Sequence, residues 1–310
     1  MKPMKKTLAL LLALSLCLSL AACADSRGQN SQAPSDPASE PPVSQPASEQ
    51  PGEDGGELAA AEIQVFIAAS LENAFQDIIA LYRDSQPNIT VTYSADSSGT
   101  LLTQIQEGFE CDIFFSAGAR QINDLEADGL AIEGTRVDLL QNKVALITYK
   151  GSGTSVTALS EIGNAASVAL AGSSVPVGQY TRTALQALGI LDSGKDAAEF
   201  TAQEVSEALG GVEINETANV SATLNAVAEG SNEVGTVYYS DAYSRIDDVE
   251  ILELVDSSLT GSIVYPMSRV VNAGADQAQT AAADDFYAFL QTDAVMDIFE
   301  SYLFVSNLEG

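Results

Sequence analysis

Four times along this chain an apolar, strand-like run ends in small polar residues and passes straight into an amphipathic helix. The first junction carries Ser70, between the run Ile63 to Ala69 and a helix whose apolar positions Leu71, Ala74, Phe75, Ile78, Ile79 and Tyr82 recur at spacings of three and four. At the second, Ser97, Ser98 and Thr100 crowd the start of a helix carrying Leu101, Leu102 and Ile105, and Gly99 lets the backbone come close to whatever sits there. At the third, Pro176 and Val177 enter a helix with Ala184, Leu185 and Leu188; Pro176 suits a first turn, where a missing N–H costs nothing. The fourth is Asn219-Val220-Ser221, ahead of Leu224 and Val227. The run Gly235 to Tyr238 then reads as a short buried strand entering another loop and helix.

The chemistry open to such junctions is anion binding. The first N–H groups of a helix have no helical acceptor, and they coincide with the positive end of the helix dipole. A single serine there would serve equally well as a simple N-cap. Other chemistries lack their parts. The chain has no histidine, which removes Ser-His and Cys-His catalysis, the common zinc sites and the commonest general base. A hydrolase using Ser98 or Ser70 as nucleophile would have no marked base beside it. No phosphate-binding or dinucleotide-binding glycine pattern occurs. The acidic residues Glu72, Asp77, Asp284 and Asp285 fall on solvent faces of amphipathic helices, and Phe286, Tyr287, Phe289, Phe299 and Tyr302 read as core packing.

The elements that must position these junctions alternate between strand and helix, which argues for α/β layers with mostly parallel sheets. Lobe 1 is expected at residues 62–142 and again at 265–310, and lobe 2 at 143–264. The apolar segments Gln141 to Ile147 and Ser262 to Pro266 would form the two hinge crossings. Ligands of such sheets bind beyond the carboxyl ends of the strands, where the four junctions would sit, and hinge closure around a ligand suits this geometry.

The ends are of another kind. Lys2, Lys5 and Lys6 precede the apolar stretch Leu8 to Leu20, too short to span a bilayer, and Leu20-Ala21-Ala22-Cys23 resembles a bacterial lipobox. A signal peptide over 1–22 and a lipid-modified Cys23 are therefore expected, with the two acyl signals that stable anchoring requires. Residues 23–61, with Pro34, Pro37, Pro41, Pro42, Pro46 and Pro51 among Ser, Gln, Glu and Gly, read as a disordered tether. Cys111 has no partner and opens an apolar strand as a small buried residue. The chain counts 13 Lys and Arg against 43 Asp and Glu, and loss of Lys2, Lys5 and Lys6 leaves a net charge of −33. That argues against nucleic acid or anionic lipid as partners. It does not argue against an anion held by contact dipoles, because surface charge is screened beyond about 8–10 Å.

Five blocks in order over residues 62–306 carry a specific resemblance: AASLENAFQDI, SSGTLLTQIQEG with CDIFFSAG, VPVGQYTRTALQALG, NVSATLNAVAEG and GTVYYSDA. They resemble the periplasmic molybdate-binding proteins of ABC importers. The resemblance implies a two-lobed periplasmic-binding-protein fold and an extracytoplasmic lipoprotein, expected to be a monomer. Such a protein captures molybdate or tungstate without a cofactor and delivers it to an ABC permease. It also implies a tetrahedral oxyanion held through its oxygens by neutral groups alone. These are the hydroxyls and N–H groups of Ser70 and Ser98, the backbone N–H groups of Val177 and Val220, and the Tyr238 hydroxyl. Another tetrahedral oxyanion, sulfate or phosphate, and a sensory lipoprotein without transport are the alternatives. One position departs from the family: Asp96 stands where a small neutral residue is usual. It is expected to face solvent; facing inward, it would suit a protonated oxyanion such as hydrogen phosphate.

Overall fold

The computed structural model describes residues 57–308. The expected signal peptide, Cys23 and nearly all of the tether lie outside the described residues. The first lobe is a six-stranded sheet in the order β11-β4-β10-β3-β1-β2, and the second a five-stranded sheet in the order β7-β6-β8-β5-β9. Chain order in the first lobe is β1 (Ala61–Ala68), α1 (Glu72–Ser85), β2 (Ile89–Asp96), α2 (Ser98–Gln106), β3 (Ile113–Phe115), α3 (Ala119–Ala127) and β4 (Val137–Asn142). The chain crosses at Lys143 into β5 (Val144–Tyr149), β6 (Ser167–Ala171), α4 (Pro176–Ala187), α5 (Ala202–Ala208), β7 (Glu213–Thr217), α6 (Val220–Ala228), β8 (Val234–Tyr238), α7 (Tyr239–Ser244), β9 (Val249–Leu254) and α8 (Ser257–Thr260). It returns to the first lobe as β10 (Ile263–Arg269), α9 (Gln277–Phe289), α10 (Asp293–Ser301) and β11 (Val305–Ser306).

The sheets are mixed. β1 runs parallel to β2 and β3, and β6 parallel to β7 and β8. The strands at the crossings run the other way: β10 is antiparallel to β3 and β4, and β5 to β8 and β9. A strand fed from the opposite lobe enters the sheet from the reverse end, so alternation of strand and helix alone does not determine its direction. The expected boundary at 264/265 also shifts, since β10 pairs with β4 from Ile263 opposite Asn142 onward. At the N-terminal side the folded part begins before residue 62. Leu58 N donates to Gln86 Oε1 at 3.0 Å, and Ala61 already pairs with Ile89 in the β1–β2 ladder.

From Val65 onward β1 is apolar on both faces because both are covered there, while Glu62 and Gln64 reach the surface. Ile63, Val65 and Ile67 pack with Phe75 and Ile78 of α1 and Phe286 of α9, while Phe66 packs with Leu101, Ile105 and Ile122 on the far side. The aromatic residues expected in the core behave so, with Phe286 and Phe299 fully buried and Phe75 edge-on to Phe286 at 5.9 Å. Asp285, expected on a solvent face, is half-buried and accepts the Tyr82 hydroxyl at 2.8 Å. Asp284 lies on an exposed face and pairs with Arg269. Cys111 is a buried free thiol, pushed well above its ordinary range by burial.

Candidate functional site

Among the clefts between the two lobes is a small, partly open one whose wall carries Ser70, Ser98, Val177, Val220 and Tyr238, together with Asp96. Each of the five expected residues sits at a strand-to-helix junction. Ser98 is the first residue of α2, and its N-cap is Ser97, whose side chain accepts from Thr100 N at 3.1 Å. Val177 follows Pro176 in the first turn of α4, and Val220 opens α6 behind the N-cap Asn219, whose side chain accepts from Ala222 N. The N–H groups of Ser98, Val177 and Val220 thus lie in first turns and have no intrahelical acceptor. Tyr238 ends β8 and starts α7.

Ser70 differs from its simpler reading. It lies inside a 3-10 turn, Ala69–Leu71, that precedes α1, and caps neither by its side chain. Its hydroxyl instead lies 3.1 Å from the Tyr265 hydroxyl, which accepts from Asn142 Nδ2 at 3.4 Å. Either hydroxyl can donate in this pair; when Tyr265 donates to Ser70 Oγ, the Ser70 proton is left to point elsewhere. Ser98 is oriented likewise: Ala117 N donates to its Oγ at 3.0 Å, so its proton is free to be given. Burial, then neighbouring tyrosines and Asp241, push the Tyr238 phenol well above its ordinary range. Tyr265 is pushed the same way by burial and then by Asp241. Both phenols are therefore donors throughout the neutral range.

The cavity is tight, with about 10 Å³ of space, roughly the room of one water by the same measure. A tetrahedral oxyanion is several times larger than one water, so the lobes must part from this arrangement to admit one. Among the described residues the wall holds no lysine or arginine. Lys143 is exposed on the hinge side, and Arg182 is buried behind α4. Asp96, expected to face solvent, faces the cavity and the other lobe. It does so because donors wait for it there: its Oδ1 accepts from Ser97 N at 2.6 Å and from Asn219 Nδ2 at 3.1 Å.

Comparison with known proteins gives the family. The family pattern of bacterial extracellular solute-binding proteins matches residues 63–305. The chain belongs to that family. ModA, the molybdate-binding protein of Escherichia coli, is 31% identical over 251 residues, covering 78% of this chain and 88% of ModA. YvgL of Bacillus subtilis, whose name places it among the substrate-binding lipoproteins of ABC transporters, is 30% identical over 246 residues, covering 79% of this chain and 86% of YvgL. A substrate-binding domain from Clostridium difficile, ascribed to a molybdenum ABC transporter, superposes with a TM-score of 0.57 at 28% identity, over 80% of this chain and 99% of that one. This solute-binding protein is thus ModA-like and extracytoplasmic, and its named relatives are transport proteins rather than enzymes.

Two features of the solute-binding protein's site were not legible in its sequence. Arg182 is 0% exposed and donates to the carbonyls of Ala171, Gly178 and Phe200 at 2.8, 3.0 and 3.1 Å. It pins the loop that delivers Val177. Burial lowers its pKa to about 10, so it stays charged at neutral pH. The one sequence signal is an arginine on the otherwise apolar face of α4. Gly178 is the other: a Cβ there would lie 2.3 Å from Ala171 O, so only glycine lets α4 start against that loop.

Proposed function

We propose that this protein captures molybdate, or tungstate, outside the cytoplasmic membrane and hands it to an ABC permease, tethered through a lipid on Cys23. The observation that carries the reading is the convergence of Ser70, Ser98, Val177, Val220 and Tyr238, from both lobes, on one cavity without a lysine or arginine in its wall. Hydroxyls and first-turn N–H groups supply hydrogen bonds to all sides of a tetrahedral dianion. No bond is made or broken, so the function asks for no cofactor. Capture closes the lobes, and the closed form, a monomer, is what the permease receives.

A second reading has one observation in its favour. Asp96 lies in the wall, and a carboxylate there suits an oxyanion that brings its own proton, such as hydrogen phosphate. Against it, Asp96 Oδ1 already accepts from Ser97 and Asn219. A thermal-shift panel separates the two. At a thousandfold excess over Kd, a ligand of the folded state adds about 4 kcal/mol, several degrees for a domain of this size. Molybdate and tungstate should produce that shift, and sulfate and phosphate should fall far short of it. A clear shift with phosphate and none with molybdate would overturn the assignment.

A further inference from the structure

Asp96 and Asn219 meet across the cleft, one at the end of a first-lobe strand, the other at the start of a second-lobe helix. The Asn219 amide does two things at once. Its Oδ1 accepts from Ala222 N at 2.9 Å, capping α6, and its Nδ2 donates to Asp96 Oδ1 at 3.1 Å. Only this orientation of the amide satisfies both partners, since a carboxylate can only accept and an N–H can only donate. Asp96 is held in turn by Ser97 N at 2.6 Å, beside the N-cap of α2. A continuous chain of hydrogen bonds therefore joins the first turn of α2, which presents Ser98, to the first turn of α6, which presents Val220.

We propose that Asp96 and Asn219 form a latch between the lobes, with Asp96 as a positioning residue that draws the Val220 N–H onto the bound oxyanion and sets how long it stays. The proposal rests on the reading of the cavity as an oxyanion site. A carboxylate near a dianion is costly, so two effects of Asp96 oppose each other. Its charge repels the ligand, while its acceptor oxygen fastens the second lobe. Asp96→Asn separates them, because an asparagine there keeps an acceptor for Ser97 and Asn219 and loses the charge. Asp96→Ala removes both. Asn219→Ser keeps a helix cap, as serine caps as well as asparagine, and removes only the donor to Asp96.

The test is stopped-flow binding of molybdate to the mature protein and the three variants, with melting temperatures checked in parallel. A half-exposed, charge-assisted hydrogen bond lost from the closed form alone corresponds to about a tenfold faster dissociation. Asp96→Ala and Asn219→Ser should each show that increase with association little changed, and Asp96→Asn should dissociate within about twofold of the parent. Tighter binding in both Asp96 variants, or an unchanged dissociation rate in Asn219→Ser, would mean that Asp96 acts by charge alone and would overturn the latch. If the parent protein does not bind molybdate, the reading of the cavity fails, and the latch is read without ligand. Spin labels, one on each lobe, should then report longer distances in Asp96→Ala and Asn219→Ser than in the parent; identical distributions would refute it.

Discussion

The Tyr238 hydroxyl, from the second lobe, donates to the carbonyl of Ala117 in the first at 3.0 Å, while the N–H of that same Ala117 holds Ser98 Oγ at 3.0 Å. One peptide residue thus fixes both hydroxyls, in opposite senses. Ser98 is an acceptor in this pair and retains a proton to give. Tyr238 has spent its proton on Ala117, so within this arrangement it faces the cavity as an oriented ring and oxygen.

That asymmetry ranks the variants. Ser98→Ala and Ser70→Ala should each weaken oxyanion binding by roughly 1.5–3 kcal/mol, the worth of a hydrogen bond to a charged group. Tyr238→Phe should cost less and act mainly on closure. Val177→Ala should cost little, because only its N–H is offered. Isothermal calorimetry on the four variants checks the order. A Val177→Ala loss as large as that of Ser98→Ala would contradict recognition through the main chain.

Gly99 and Ser174 give a second handle. A Cβ on Gly99 would sit 2.3 Å from the Ser174 carbonyl oxygen, which belongs to the loop ahead of α4 in the other lobe. Gly99→Ala should therefore obstruct closure. Since alanine is the better helix residue by about 0.5–1 kcal/mol, the unliganded protein should be no less stable. The expected result is a large loss of oxyanion affinity with an unchanged or higher Tm without ligand. A parallel fall in both would mean that the glycine serves folding rather than closure.

These residues show what the sequence carried and what it did not. Strand-to-helix junctions announce themselves, because periodicity switches from two to about three and a half at a small polar residue; that Ser70, Ser98, Val177, Val220 and Tyr238 form a set is what the family resemblance implies. The partner of each side chain could not be read from the sequence. Ser70 reads as a cap, yet Tyr265, 195 residues later, is its neighbour. Gly99 reads as making room for a ligand, and the close approach is the backbone of the opposite lobe. Asp96 reads as a solvated charge until Asn219, 123 residues away, is brought against it. Strand direction at the crossings was illegible for a related reason: it depends on which lobe the chain comes from, and local pattern carries no record of that.

Asp241 predicts a pH dependence of stability. It is 8% exposed, its Oδ2 has no hydrogen-bond partner among the described residues, and burial raises its pKa from 3.8 to about 7. The tyrosines grouped with it, Tyr238, Tyr265 and Tyr180, are all shifted upward and keep their protons over this range. A carboxyl whose folded pKa is raised contributes stability that is whole below its unfolded pKa and is lost as pH rises through the folded value. Asp241→Asn cannot titrate. Relative to the parent it should therefore gain stability between pH 4 and pH 8, by on the order of 4 kcal/mol, since each tenfold change in proton affinity is worth about 1.4 kcal/mol. Urea unfolding of both proteins at the two pH values measures the difference, and a constant offset would show that Asp241 keeps an ordinary pKa in the fold.

Salt distinguishes a cavity of neutral dipoles from one built on fixed charge. With a net charge of −30 over the whole chain, the protein surrounds an approaching dianion with a repulsive field reaching about a Debye length. Inside the closed cleft its contacts are short and shielded from bulk ions. Arg182 lies behind α4 with three carbonyls about it, and Lys143 lies on the hinge side, so neither offers a screenable attraction at the wall. Raising ionic strength from about 10 mM to 150 mM shortens the Debye length from roughly 30 to 8 Å. Association should accelerate over that range while dissociation stays nearly constant, and affinity should rise modestly. A site lined by lysine or arginine weakens under the same change. Stopped-flow binding against an inert salt whose anion does not compete reads both rates. A steep fall in affinity would place a cation against the ligand and refute capture by hydroxyls and helix N–H groups alone.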